Sequence, residues 1–244
     1  MIRTATAAAA CAAASLLLFL AGCGEALAQG AGTVTLLAGI LSVVKPDGQK
    51  KLLGVQSAVA AGDVLTTEAE TYARLKFADG SEVVMRPASQ LRVDEFRYNE
   101  NKPETSNMVV SMLRGGLRAI TGLIGKARPD NVRFNTVTAT IGIRGTHLGF
   151  FLCETCTGMT NNAGQPLEDG LHVDVAEGAV VVSNRAGTMV VGAGQFGYVR
   201  DATTPPILVP QGAGYKIVFP SGITRNDTAG RSIGPNHDAD CSAQ

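Results

Sequence analysis

The sequence predicts an all-β domain carried behind an export signal, and three observations support that prediction. Glycine is abundant, at 29 of 244 residues, while aromatic content is only 5% and Trp is absent. Strand-sized runs rich in Val and Thr recur between Gly, Asp and Pro turns. Long Glu/Lys/Leu stretches with helical periodicity are missing. The charges balance, with 21 basic and 21 acidic residues, so the basic excess that marks a nucleic-acid binder is absent.

The N-terminus reads as a signal peptide over residues 1–22. Arg3 is the positive end, and Ala5 to Ala21 is an uncharged run rich in Ala and Leu, short for a membrane span. Leu20-Ala21-Gly22-Cys23 has the form of a lipobox, in which small residues admit the peptidase and the Cys23 thiol accepts the lipid. Ala26-Leu27-Ala28 offers a second cleavage site, before Gln29. The lipobox is the preferred reading because Cys23 follows the apolar run directly. Gly24 stands where an inner-membrane retention signal has Asp, so a periplasmic protein anchored to the outer membrane by lipidated Cys23 is expected. Residues 23–32 then form a tether.

From Thr33 the strands follow in order. Thr33 to Val44 is apolar with a central Gly39, and Pro46-Asp47-Gly48 turns the chain. Leu52 to Ala60 and Val64 to Thr67 continue the rhythm. In Tyr72 to Phe77, Ala73, Leu75 and Phe77 share one face, opposite Tyr72, Arg74 and Lys76. A two-residue turn at Asp79-Gly80 would put Glu82 and Arg86 on the apolar face. A three-residue turn with Gly80 in a left-handed bulge instead pairs Phe77 with Ser81 and groups Val83 and Met85 with the apolar set. The bulged turn is therefore expected. Ser89 to Phe96, Met108 to Leu113, Leu117 to Thr121, Arg133 to Ile143 and His147 to Leu152 read as further strands. Arg97 to Asn107 reads as an exposed loop, and Ile120 to Ile124 permits a short helical turn. Leu171 to Glu177, Ala179 to Ser183, Thr188 to Val191 and Gln195 to Val199 complete the domain. The Gly-turn spacing around Gly39–Val64 is echoed around Gly178–Val199, as in stacked β-coils, which suggests a solenoid-like roll. Thr203-Thr204-Pro205-Pro206 marks a boundary. Residues 202–244 are a C-terminal extension in which 212–223 can pack back as one strand and 224–244 is polar and read as disordered.

Cys153 and Cys156 lie three apart, about 10 Å in an extended strand, too far for a disulfide. A bond between them requires a turn, which the following Thr157-Gly158 supports. A structural disulfide is the preferred reading, with redox and metal roles as alternatives. No helix pattern follows for a thioredoxin-type site and no second CxxC completes a zinc site. Cys241 is left as a free thiol or a competing partner.

Two glycine-rich runs carry a family resemblance. Gly115-Gly116-Leu117-Arg118-Ala119-Ile120-Thr121-Gly122-Leu123-Ile124-Gly125-Lys126 is followed by Ala139-Thr140-Ile141-Gly142-Ile143-Arg144-Gly145-Thr146. Together with Gly62-Asp63-Val64-Leu65-Thr66-Thr67, Phe77-Ala78-Asp79-Gly80-Ser81 and Glu177-Gly178-Ala179-Val180, they resemble the FecR domain over about Thr33 to Val199. A FecR-like β domain over 33–201 is thus expected. Val137 stands where such sequences usually carry Pro. The regulators that named the family place a cytoplasmic anti-sigma segment and a transmembrane helix before this domain. Here a signal peptide is read in that place, so the domain carries over and sigma-factor control does not.

No catalytic constellation is nominated. His147, His172 and His237 have no nucleophile motif beside them, and Gly142-Ile143-Arg144-Gly145 opens no phosphate-binding helix. Arg144, with Gly145 and Thr146, has two readings: a guanidinium gripping a partner carboxylate, or a structural turn with Gly145 at positive φ. The turn is preferred. Arg114, Arg118, Lys126 and Arg128 form a basic cluster that reads as a solvated face. The function expected is a non-enzymatic, cofactor-free envelope interaction or sensor module that binds a protein or glycan. A structural lipoprotein of a surface or secretion assembly is the alternative, and a glycan hydrolase is the least favoured. Replacement of Cys23 by Ser is expected to move the protein from the membrane to the soluble fraction on cell fractionation. Unchanged membrane recovery would remove the lipid anchor.

Overall fold

The structure is a computed structural model that describes residues 30–224. The segment expected to be a signal peptide, Cys23, the alternative site expected before Gln29, Cys241 and the residues beyond 224 lie outside the described residues. Those described residues are predominantly β-strand, as the composition predicts.

The strands form one hydrogen-bonded network that folds into two layers. Strands β1 (Gly32–Ala38) and β2 (Leu41–Val44) are two halves of one bent segment, and so are β3 (Lys50–Leu53) and β4 (Ala58–Val59). The same holds for β5 (Val64–Thr67) with β6 (Tyr72–Phe77), and for β7 (Glu82–Met85) with β8 (Gln90–Arg97). Then β9 (Asn107–Ile120) runs unbroken and leads through α1 (Leu123–Ala127) to β10 (Val132–Asn135). Two further long strands, β11 (Thr140–Cys153) and β12 (Gly170–Asn184), precede β13 (Gly187–Gly192), β14 (Phe196–Val199) and β15 (Ile207–Val209).

Strand register separates the layers. In the first, β3, β2, β5, β8, the start of β9, β10, the start of β11, the end of β12 and β13 lie side by side. In the second the order is β4, β1, β6, β7, the end of β9, the end of β11, the start of β12, β14 and β15. The layers face one another across a common core. Phe77 of the second layer lies 5.4 Å, centroid to centroid, from Phe96 of the first, and Phe134 lies 5.6 Å from Phe150. Val43, Leu65, Leu91 and Val110 of the first layer are fully buried against Leu75, Val83, Leu117 and Leu148 of the second.

This arrangement corrects the solenoid-like roll. Stacked coils pair in parallel, whereas every ladder here is antiparallel except β9 with β10. The glycine spacing that suggested coils reports where strands bend from one layer to the other. Ser89, at the bend between β7 and β8, accepts a hydrogen bond from Gly116 N–H at 3.0 Å. An added Cβ on Gly115 would sit 2.3 Å from the Ser89 hydroxyl, and Gly115 has φ +80°. At the bend of β12, Gly178 has φ +75°, and a Cβ there would lie 1.9 Å from the Gly145 carbonyl oxygen of β11. The buried hydroxyls of Thr67 and Thr71 serve the same seam: Thr67 receives Ser89 N–H at 3.0 Å and Thr71 receives Ile40 N–H at 2.9 Å.

The bulged hairpin is borne out. Lys76 faces Glu82, Ala73 faces Met85, Gly80 has φ +81°, and Phe77 N–H reaches the Ser81 carbonyl at 2.9 Å. Other boundaries differ from expectation. Arg133 to Ile143 is two strands, because Thr136 N–H bonds the Ala139 carbonyl at 2.9 Å and closes a turn. Val137 is exposed in that turn, where the loss of the family's Pro costs no packing. Leu171 to Ser183 is one strand, bent at Gly178. The helical turn forms at Leu123–Ala127 despite Gly125, since a Cβ there would meet Ile143 at 2.6 Å. The extension does pack back, although residues 215–220 form no strand. Tyr215, Ile217 and Phe219 turn inward while Lys216, Val218 and Pro220 face solvent, so the segment lies as a strap over the outer face of the second layer.

Substitution of Gly178 by Ala is expected to destabilise the protein by roughly 3 kcal/mol or more, because strain at positive φ adds to a backbone collision. Gly164→Ala supplies the control. Its φ is +78° with open space around it, so about 1 kcal/mol is expected. Equal midpoints for the two variants in urea would show that the seam tolerates a side chain.

Candidate functional site

The outer face of the second layer concentrates the polar side chains that packing leaves over. Its side-chain rows follow from register. One row reads Arg74, Val84, Arg118, Gly149 and Asp174 across β6, β7, β9, β11 and β12. The next reads Lys76, Glu82, Ile120 and His147. The alternation that buries Ala73, Leu75, Val83, Leu117 and Leu148 inward projects these residues outward.

The strap covers part of this face. Ile217 packs on Gly149, where a Cβ would lie 3.2 Å away, and its N–H reaches Asp174 Oδ2 at 3.3 Å. Tyr215 stacks 5.4 Å from Phe151, and its hydroxyl accepts from Arg86 Nη1 at 2.8 Å. The Arg86 guanidinium lies over both rings, 5.0 Å from Phe151 and 5.6 Å from Tyr215, a cation–π arrangement. Phe219 meets Tyr72 edge-on at 6.1 Å.

Beside Ile223 lies a recess of about 60 Å³, lined by Arg74, Glu82, Val84, Arg118, Ile120, His147 and Ile223. Arg118 Nε donates to His147 Nε2, so the imidazole is neutral and carries its proton on Nδ1. Burial lowers the proton affinity of both groups. For His147 the Arg118 charge lowers it further, with Glu177 opposing, while Asp174 and Glu177 partly restore Arg118. Arg74, almost fully buried, directs Nε to Thr35 Oγ1 at 3.3 Å. Asp174 is pushed up by burial, against the Ile217 N–H and the charges of Lys216 and Arg118.

The residues singled out by sequence fall elsewhere or are divided. Cys153 and Cys156 form a disulfide in a turn, with Cα atoms 5.6 Å apart. It packs with Leu167 in a small cluster beside the strap. Asp169 lies close enough to complete a three-ligand group with the two sulfurs, and its Oδ1 receives Cys156 N–H at 2.8 Å; in the bonded state the sulfurs are committed to each other. Arg144 is exposed, pairing with Ala179 through the backbone and with no side-chain hydrogen bond among the described residues, and Gly145 has the expected positive φ of +63°. The strand at 144–146 is the bend of β11. Of the basic cluster, Arg114, Lys126 and Arg128 are exposed and only Arg118 turns into the recess. His172 is buried, with Nε2 2.8 Å from the Glu168 carbonyl oxygen. Arg74, Glu82, Arg86 and Tyr215 were not singled out. Their signal was the outward register of Arg74 in the Tyr72–Phe77 alternation, but their neighbours come from strands distant in sequence.

The FecR protein family model matches residues 63–181. This segment is a FecR domain. It begins at the Asp63 that follows β4 and ends in β12, so it holds Arg74, Glu82, Arg118 and His147 but leaves out the strap. No curated protein matches the chain. Among solved structures, one described as a cell surface anchoring domain is 26% identical over 25% of this chain and 80% of its own, with a TM-score of 0.25. Two crystal structures of a protein provisionally assigned as an anti-sigma factor from Parabacteroides distasonis ATCC 8503 are 14% and 15% identical. Each overlaps 62% of this chain, with TM-scores of 0.42 and 0.43. The chain spans 60% of the length of those two.

The buried histidines set a pH dependence for the FecR domain. His172 is lowered by burial, with the Glu168 carbonyl and carboxylate opposing, and His147 is lowered as well. A histidine whose folded value lies below its unfolded 6.5 stays neutral in the fold while the unfolded chain takes up a proton. Stability is therefore complete above about pH 6.5 and falls as the solution is acidified below it. Asp174 acts with the opposite sign nearer 3.8, where its raised folded value makes protonation favourable to the fold. Thermal melts from about pH 7.5 to about pH 5 are expected to show a falling midpoint, with His172 contributing at most about 1.4 kcal/mol per pH unit. His172→Gln should flatten the profile, and a midpoint that rises on acidification would contradict the burial assigned to both rings.

Proposed function

We propose that the chain is a non-catalytic module of the bacterial cell envelope that recognises a partner through its FecR domain and acts as a sensor or interaction element. The FecR match over residues 63–181 carries this reading, since the family resemblance implies an envelope domain without chemistry of its own. The arrangement of the outer face supports it. The second layer leaves a charged recess between a rigid sheet and a strap, a form suited to holding a ligand group. His147 touches an arginine, and His172 is turned to a backbone carbonyl; neither is placed as the base of a nucleophile. Export by the N-terminal signal and attachment through Cys23 would hold the domain at the membrane surface, with residues 24–32 as its tether.

A purely structural lipoprotein of a surface assembly would use the same sheets without a dedicated recess. Crosslinking of intact cells followed by mass spectrometry separates the two. The sensor reading expects a reproducible partner crosslinked to residues around the recess, such as Lys76, which is exposed in the row of Glu82 and His147. Crosslinks confined to the opposite layer, or to copies of the chain itself, would favour the structural role.

A further inference from the structure

We propose that Cys153, Cys156 and Asp169 form a zinc site once the disulfide between the two cysteines is reduced. The site shares no residue with the recess and stands whether or not the FecR domain recognises a partner.

The fold brings the three ligands together. Both sulfurs and a carboxylate oxygen of Asp169 lie within 4.8 Å of one another, although Asp169 stands 13 residues beyond Cys156. Zinc–sulfur bonds of about 2.3 Å set the two sulfurs of a tetrahedral site about 3.8 Å apart. The Cα atoms of Cys153 and Cys156 are 5.6 Å apart in one turn, so side-chain rotation suffices and the backbone can stay. Asp169 is held at both ends. Its Oδ1 receives Cys156 N–H at 2.8 Å, and its carbonyl receives the Tyr198 hydroxyl at 2.6 Å. Neighbours of this kind orient a metal ligand before the ion arrives. The cysteines are buried beside Leu167, Met159 and Phe151, whereas Asp169 is exposed. The ion thus has an apolar floor and an entry from the carboxylate side.

The donor set selects the ion. Two thiolates do not suit magnesium or calcium, which take oxygen ligands, and the carboxylate counts against copper(I), which favours sulfur. Zinc accepts sulfur and oxygen together, and three protein ligands leave its fourth position to water. The redox step balances with a dithiol. The reductant closes its own disulfide, the sulfur–sulfur bond of the chain breaks, and each chain sulfur takes one proton. Zinc then displaces both protons into solvent and holds two thiolates, so affinity rises with pH. The exchange also changes what is tied. The disulfide joins Cys153 to Cys156 alone, whereas the ion adds Asp169 and so closes the loop between Cys156 and Asp169 at both ends. That loop holds the strap: Asn162 N–H reaches the Gly214 carbonyl and Ala163 N–H the Gly212 carbonyl, each at 2.9 Å.

The test is a cobalt(II) titration of the purified full chain after reduction by a water-soluble phosphine. The phosphine becomes its oxide, with water supplying the oxygen and the two thiol protons. One cobalt per chain is expected, with thiolate charge-transfer absorption in the near ultraviolet and the strong visible bands of a four-coordinate site. An equivalent of zinc should abolish both, and the oxidised chain should show neither. Asp169→Asn keeps an acceptor for Cys156 N–H while removing the charge. It should weaken zinc by about tenfold or more in competition with a chromophoric chelator, and Glu168→Gln, next to it, should leave affinity unchanged. Zinc should also raise the melting midpoint of the reduced chain, and Asp169→Asn should lose most of that rise. This readout holds even where the reduced, metal-free chain melts without cooperativity. Absence of thiolate bands from the reduced chain, equal zinc affinity of Asp169→Asn, a loss on Glu168→Gln instead, or one cobalt shared by two chains would each overturn the assignment.

Discussion

The structure depends on one seam, the line along which long strands bend from the first layer to the second. A strand that changes layers must turn its backbone sharply without losing its ladder to both neighbours. At Gly178 the backbone of β12 passes so close to the Gly145 carbonyl of β11 that no side chain fits between them. At Gly115 the same closeness is set by Ser89. Donors and acceptors exposed by the bends are taken up by the hydroxyls of Thr67, Thr71 and Ser89, all buried. Even non-glycine residues are drawn into the left-handed region beside this line, Glu70 at φ 63° and Ala88 at φ 52°. Each costs of the order of 1–3 kcal/mol, tolerated because packing on both sides over-determines the turn.

The seam also explains why the recess exists. Each layer has an inner face occupied by Val, Leu, Ile and Phe, and an outer face left to the alternate residues. In the second layer Arg118 of β9 and His147 of β11 are diagonal neighbours on paired strands, within reach of long side chains although not register partners: Arg118 faces Gly149, and His147 faces Ile120. The strap covers the apolar portion of the outer face, Phe151, Tyr72 and Val84. Tyr215, Ile217 and Phe219 thereby do for the second layer what a third sheet would do, at the cost of few backbone hydrogen bonds. The Ile217 N–H uses the Asp174 carboxylate and the Lys216 N–H uses the Asn162 side chain at 3.0 Å.

Much of the fold was legible because its cues are local. Alternation in Tyr72–Phe77 and Glu82–Met85 identified the inner face and the bulged turn, since only one register separates apolar from charged residues. What the local pattern could not carry was the meaning of the glycines. A Gly between two strand-like runs reads equally well as a turn between strands or a bend within one. Gly178 and Gly145 were resolved only by their contact with each other across β11 and β12. The solenoid-like reading failed there, having taken a repeated bend for a repeated coil. The strap was half legible: apolar character in 212–223 showed that it packs, but without β-pairing partners its path could not be read.

The site was less legible than the fold for a related reason. Arg144 drew attention because it sits in the Gly142-Ile143-Arg144-Gly145-Thr146 run, yet at the bend of β11 its side chain, just before a left-handed glycine, is exposed. Arg118 occupied an equally glycine-rich run and appeared to be one member of a solvated basic face. The distinction between them is depth along the strand. Arg118 lies three residues past the bend at Gly115, well inside the second layer, where β7 and β11 flank it on both sides. Arg144 lies at the corner, where β11 slips register against β12 between 144 and 147. Flanking strands wall a side chain in and partly desolvate it, which a corner cannot do. In a two-layer fold built from bent strands, charged residues a few positions away from a seam glycine are thus better candidates for recognition than those beside it.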